Sequence, residues 1–354
     1  MLGFLKKQWW KWTSIVLLSF AFLSGLLIPL GSGIISISPE NISVNNIIEL
    51  QISAYNTQFV TGDTSLKFFL KSDKIVLCGS VTNINNATEA TVTFPALDNE
   101  QINHKKTYFT LIAQNGKNGT FLLRKALLVQ PNKEEIANVS EEKFNCNAEI
   151  KPTLAKGLTF PYREILYETI RNLFFHVPMW FSMILLLLFA FIANIKYLGS
   201  NNSLYDTIAA SFASVGLFFG TLGILTGMQW ANFTWGAPWI NDPKLNGAAV
   251  GMLIYLAYFV LRGSLENEQT RARVSAVYGI FAFVIFIVFI FVLPRLSDSL
   301  HPGSGGNPGF NTYDLDNTMR PVFYSAVLGF SGIGYWMASI LVRYHLIEQQ
   351  NDLV

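Results

Sequence analysis

Residues 177–195 read VPMWFSMILLLLFAFIANI, nineteen positions without one charged side chain. A helix rises about 1.5 Å per residue, so a run of this length crosses the roughly 30 Å hydrocarbon core of a bilayer. Comparable runs recur at 13–35, 206–228, 247–262, 275–294 and 321–342. Six apolar spans predict a membrane-embedded helical bundle with both termini on the same side. Composition agrees, since 51% of the 354 residues are apolar and only 14% charged, against roughly a quarter charged in soluble domains. The 25 Lys and Arg nearly balance the 23 Asp and Glu, which argues against a chain that must neutralise many nucleic-acid phosphates.

Between the first two spans the character changes. Residues 36–165 hold no Trp and are rich in Ser, Thr and Asn, with β-branched or alternating runs at 47–54, 66–70, 91–94, 108–113 and 120–129. Turn-forming groups such as Thr61-Gly62-Asp63 and Asn115-Gly116-Lys117-Asn118-Gly119 separate them, the pattern of a small antiparallel β domain. The expected fold class is an all-α six-transmembrane-helix bundle with an inserted periplasmic β-sandwich-like domain. Its expected divisions are a first helix at 1–35, the β domain at 36–165, a five-helix region at 166–345 with a loop at 229–246, and a tail at 346–354.

Basic residues set the orientation. With both termini inside, the cytoplasmic face collects Lys6, Lys7, Lys11, Lys196, Arg262, Arg271, Arg273 and Arg343, while the short outer loops hold Lys244, Arg295 and Arg320; that is the positive-inside bias. The first span is too long for a signal-peptide core and lacks a clear A-x-A site, so a retained helix is expected. An exterior β domain lies in an oxidising compartment, where Cys78 and Cys146 are either a disulfide or two buried thiols. Two cysteines and four histidines leave few groups for metal chemistry.

Two of those histidines fall at the outer membrane face. His176 opens the second span within Phe174-Phe175-His176-Val177-Pro178-Met179-Trp180, and His301 lies in Ser299-Leu300-His301-Pro302-Gly303 after the fifth. Between them comes a loop with Trp230, Trp235, Gly236, Pro238, Trp239, Asp242 and Pro243. Interfacial Trp is commonly a membrane anchor and interfacial His a polar helix-end residue. Indoles beside two imidazoles also suit a flat, apolar, iron-containing ligand, with haem b held by axial His176 and His301. Lys244, Arg295 and Arg320 either snorkel or meet its propionates.

The segment 173–180 with its His-Val-Pro, the loop Trp235-Gly236…Trp239…Asp242, and Ser299-Leu300-His301 resemble, in order and spacing, the haem-handling proteins of cytochrome c maturation of the CcmC type, with CcsA synthases more distant. The resemblance covers the first span and about 165–345, leaving the β domain as an insertion. It implies that His176 and His301 are the paired periplasmic ligands and that Trp235, Gly236, Trp239 and Asp242 belong to a haem-sheltering "WWD" loop; the residues themselves add Trp230, Phe233 or Trp180 as compensating aromatics and Arg295 as a propionate partner. Pro238 and Asn241 stand where Trp is usual, and Pro243-Lys244 where a small residue and Arg are expected, so the aromatic platform is thinner. The implied role is haem delivery rather than catalysis, in the bacterial inner membrane, to a haem chaperone or apocytochrome c, with ATP-binding-cassette transporter subunits and membrane lipid as partners and no nucleic acid. The chain has no Walker motif of its own.

Other readings stand beside this one. A cytochrome c synthase attaching haem directly would carry further His within the membrane. A membrane-anchored receptor or adhesion protein would act through the β domain. His104 reads as a β-turn residue and His345 as a solvated tail residue, and Asp206 and Glu168 fall at span ends, leaving no buried charges to mark an ion pathway.

Overall fold

The computed structural model describes residues 2–73, 75–132, 150–297, 299–301 and 314–351. They form two compact units, one of residues 1–27 with 169–354 and one of residues 28–168.

The first unit is helical: α1 (Leu2–Leu27), α2 (His176–Ser200), α3 (Ser203–Trp235), α4 (Pro243–Gly263), α5 (Glu268–Ile287) and α6 (Met319–Asn351). Among the described residues, six helical stretches are long and apolar enough to cross a membrane, Gln8–Leu27, Tyr167–Ser200, Ser203–Trp235, Pro243–Gly263, Glu268–Arg295 and Met319–Asn351, and the protein is a multi-pass membrane protein. The apolar run expected to be helical to residue 35 stops at Leu27, because Pro29 lacks an amide donor and Gly31 and Gly33 favour a turn. Residues 33–38 are a strand instead.

Short, well-capped turns join the later helices. Asn201 closes α2 in the left-handed conformation at φ 51°, and the side chain of Asn202 accepts from the Leu204 amide to open α3. The Asn267 side chain accepts from the Thr270 amide and opens α5 in the same way. Because α2 to α5 alternate in direction, the start of α2, the end of α3, the start of α4 and the end of α5 share one end of the bundle. At that end α5 loosens into a π-helical turn (Val288–Val292) and a 3-10 turn (Leu293–Arg295) containing Pro294, which ends regular helix ahead of His301.

At the other end sits a buried charge pair. Asp206 in the first turn of α3 is 8% exposed, and Arg262 in the last turn of α4 donates to both its oxygens at 2.7 and 2.6 Å. The sequence places Asp206 at a span end without foreseeing its burial; its charge is matched by the guanidinium. His345 also departs from expectation. It lies on α6 with Nδ1 3.2 Å from Oγ of the fully buried Ser211 on α3, because α6 continues to Asn351 where a tail was expected.

Among the described residues, the second unit is built on eight strands: β1 (Gly33–Ser38), β2 (Asn41–Ser43), β3 (Ile48–Tyr55), β4 (Lys67–Lys71), β5 (Val76–Asn86), β6 (Glu89–Phe94), β7 (Thr107–Asn115) and β8 (Gly119–Gln130). A sandwich would stack two separate sheets; here the order β1-β3-β6-β5-β4-β7-β8-β2 makes one continuous sheet. The long β5 explains the difference, since Val76–Gly79 pair with β4 and Ser80–Asn86 with β6. All pairings between these strands are antiparallel except β2 with β8. Alternation on β3 sends Ile48, Leu50, Ile52 and Ala54 inward, where they meet Phe68, Leu70, Val92, Phe94, Phe109, Leu111 and Leu127 in a single core. Cys78 on β5 is disulfide-bonded; Cys146, the other cysteine of the chain, lies outside the described residues. His104 occupies an exposed turn at φ 51°, as expected.

Candidate functional site

His176 is the first residue of α2, and its ring is fixed from α3. Nδ1 lies 2.9 Å from the Gly223 carbonyl and 3.2 Å from Thr226 Oγ1. Thr226 donates to carbonyls of its own helix, and a carbonyl can only accept, so Nδ1 carries the hydrogen and Nε2 the lone pair. Gly227 makes the placement possible. A Cβ there would stand 2.7 Å from His176 Cε1, and one at Gly223 would stand 3.0 Å from the Trp180 indole. Glycines at 216, 220, 223 and 227 form a row on α3 against Leu187, Met183, Trp180 and His176 of α2, the small-residue packing that lets membrane helices approach closely. The sequence reading missed this row, although its three-and-four spacing was visible.

Gly236 and Asp242 prove to be architectural. Gly236 ends α3 at φ 78°, its amide bonded to the Asn232 carbonyl at 3.1 Å; a side chain there would be strained. Asp242 is the N-cap of α4, accepting from the amides of Lys244 at 2.9 Å and Leu245 at 3.3 Å. The same carboxylate reaches across 57 residues. Ser299 Oγ donates to it at 3.0 and 2.8 Å and the Leu300 amide at 2.9 Å, so it pins the segment that carries His301. The His301 amide then donates to Ser299 Oγ at 3.1 Å.

The result is a tight cluster. Asp242 is 3% exposed, and His301 Nδ1 lies 3.4 Å from its Oδ1. That nitrogen is buried and makes no hydrogen bond. The imidazole packs on Trp235 at 5.0 Å, edge to face, and near Trp230 at 6.0 Å, while the two indoles meet at 4.9 Å. Burial acts most strongly on the His301 imidazole and the nearby Lys244 charge adds to it, bringing its pKa down to about 4 against the pull of Asp242. Burial alone would raise the Asp242 carboxyl, but hydrogen bonds from Ser299 and the Leu300 and Lys244 amides hold it below its usual range.

The structure thus brings His301, Trp230, Trp235 and Asp242 into one cluster, with His176 at the same end of the bundle and near enough to His301 for their charges to interact. Lys244 interacts with both imidazoles and with Arg295. Trp239 is set apart: it is 38% exposed on the Gly236–Asp242 turn and makes no ring contact among the described residues. Arg295, in the final 3-10 turn of the fifth span, is exposed.

The family model described as "CcmC: Heme exporter protein C" matches residues 153–353, which take in every residue of this cluster and leave α1 and the eight strands outside. The chain is 24% identical over 192 residues to "Heme exporter protein C" of Rhodobacter capsulatus, covering 54% of this chain and 78% of that protein. It is 25% identical over 136 residues to the protein of the same name from Paracoccus denitrificans, 38% of this chain and 56% of that one. It is also 32% identical over 94 residues to "Cytochrome c biogenesis protein CcsA" of a Synechococcus species, 27% of this chain and 31% of that one. With more than half its length matched by the family model, the chain belongs to the CcmC family.

Proposed function

We propose that this protein binds haem b at the periplasmic face of the bacterial inner membrane and passes it on for cytochrome c maturation, to a haem chaperone or to apocytochrome c. The observation that carries the reading is the buried contact of His301 with Trp230, Trp235 and Asp242 at the bundle end where His176 also sits. Family membership adds the haem connection, since the relatives are named for haem export and cytochrome c biogenesis.

The donor set fits such a cargo. His176 has its Nδ1 turned to Gly223 and His301 its Nδ1 turned to Asp242, which leaves Nε2 of each for iron. Bound haem supplies an iron with two axial positions and two propionates. Trp230 and Trp235 give apolar walls, Lys244 and Arg295 give cations for the propionates, and two reversible His–Fe bonds suit a carrier that must also release. The excess of basic residues at the opposite bundle end supports the periplasmic placement and cytoplasmic termini. ATP-binding-cassette subunits are the partners proposed for that cytoplasmic face.

A transfer assay tests the proposal. Haem-loaded full-length protein mixed with a haem chaperone or an apocytochrome c loses its haem absorbance to the acceptor. Complete retention would contradict delivery, and thioether-linked haem on the apocytochrome with no other factor present would make the protein a synthase.

A further inference from the structure

The two imidazoles at the site are backed by different groups. His176 Nδ1 meets a neutral acceptor, the Gly223 carbonyl. His301 Nδ1 faces a carboxylate, Asp242 Oδ1, at 3.4 Å. At this distance the carboxylate acts through its charge, and a negative charge behind an imidazole raises the electron-donating power of the opposite nitrogen more than a neutral carbonyl does. Asp242 is also built in, since it is 3% exposed and receives hydrogen bonds from Ser299, Leu300, Lys244 and Leu245. It therefore ties the segment bearing His301 to the first turn of α4. His176 has no charged group behind it among the described contacts of its ring nitrogens.

From this asymmetry we infer that the two ligands are not equivalent: Asp242 is a positioning residue that makes His301 the retaining ligand, and His176 is the ligand given up first when haem leaves. The inference rests on the haem reading above. In the exchange, the bond from His176 Nε2 to iron would break and a neutral donor of the acceptor, such as an imidazole nitrogen, would bind in its place. Neither a proton nor an electron changes hands.

Two measurements on the full-length, haem-loaded protein test it. In the first, the midpoint potential is titrated for the natural sequence and for Asp242→Asn, which keeps an N-cap acceptor and removes the charge. The inference predicts an upward shift with the two-histidine spectrum retained; a potential equal to that of the natural sequence would overturn it while leaving haem binding intact. In the second, haem loss to excess apomyoglobin is timed for His176→Ala and His301→Ala. Loss about ten-fold faster from His301→Ala than from His176→Ala is expected, since an outer-shell partner is typically worth ten-fold or more to the ligand it supports. Equal rates or the reverse order would overturn the inference, and this holds even if Asp242→Asn does not fold. Failure of the natural sequence to show any two-histidine haem spectrum would instead overturn the haem reading itself.

Discussion

Asp242 shows how much one side chain can join. It caps α4 through Oδ1 and holds the Ser299–His301 segment through both oxygens. Replacing it with Ala removes the cap, worth about 1 kcal/mol, and strands the Ser299 hydroxyl and Leu300 amide, at about 1–3 kcal/mol for a buried group. Asp242→Ala is therefore expected to lower thermal stability well below Asp242→Asn in detergent melts. Gly227→Ala tests the other ligand: its Cβ would press on the His176 ring, so haem occupancy should drop while the helical circular-dichroism signal persists. His301 adds a pH dependence. Its imidazole takes up a proton near 6.5 in the unfolded chain but only at about 4 when folded, so between those values the unfolded chain binds more protons. Stability is then full at neutral pH and declines as pH falls from about 6.5 toward 4; melts across that window should slope more steeply for the natural sequence than for His301→Gln. That His176, His301, Trp230 and Trp235 share one bundle end was legible from span order and spacing, whereas Trp239, expected beside them, is set apart. The reach of Asp242 was not, because Ser299 is 57 residues away and only the fold of α4 and α5 makes them neighbours.

At the scale of elements, helices α2 to α6 are legible from hydropathy, since a continuous apolar run of about 20 residues can satisfy its backbone hydrogen bonds within a bilayer as a helix. Strands β3, β4, β6, β7 and β8 also followed from alternation and turn signals. The strands that did not were those whose patterns were masked: β1 continues the apolar run of the first span, β2 is three residues long, and β5 reads VLCGSVTNINN, with Gly, Ser and three Asn in place of an apolar face. The α3–α4 contact carries a further prediction. Breaking the Asp206–Arg262 pair from one side leaves a buried charge, which typically costs 3–5 kcal/mol, so Arg262→Leu should be strongly destabilising. The double change Asp206→Asn with Arg262→Leu should recover much of the loss, and denaturation of the three variants checks this directly.

At the scale of the molecule, every residue of the proposed site belongs to the helical unit, and the family match begins only at residue 153. The β unit enters between helices whose ends already meet, for the Arg171 guanidinium donates to the Gly25 carbonyl at 2.7 Å. Replacing residues 31–165 by a short Gly/Ser linker should accordingly leave the haem spectrum unchanged; loss of that spectrum would give the strands a part in haem binding. The one measurement that bears most directly on the account is the optical spectrum of the haem-loaded protein beside those of His176→Ala and His301→Ala. Two histidine ligands predict a low-spin spectrum for the natural sequence, converted toward high spin or lost in each single variant. No low-spin haem signal in the natural sequence, or a signal unchanged in both variants, would contradict the account.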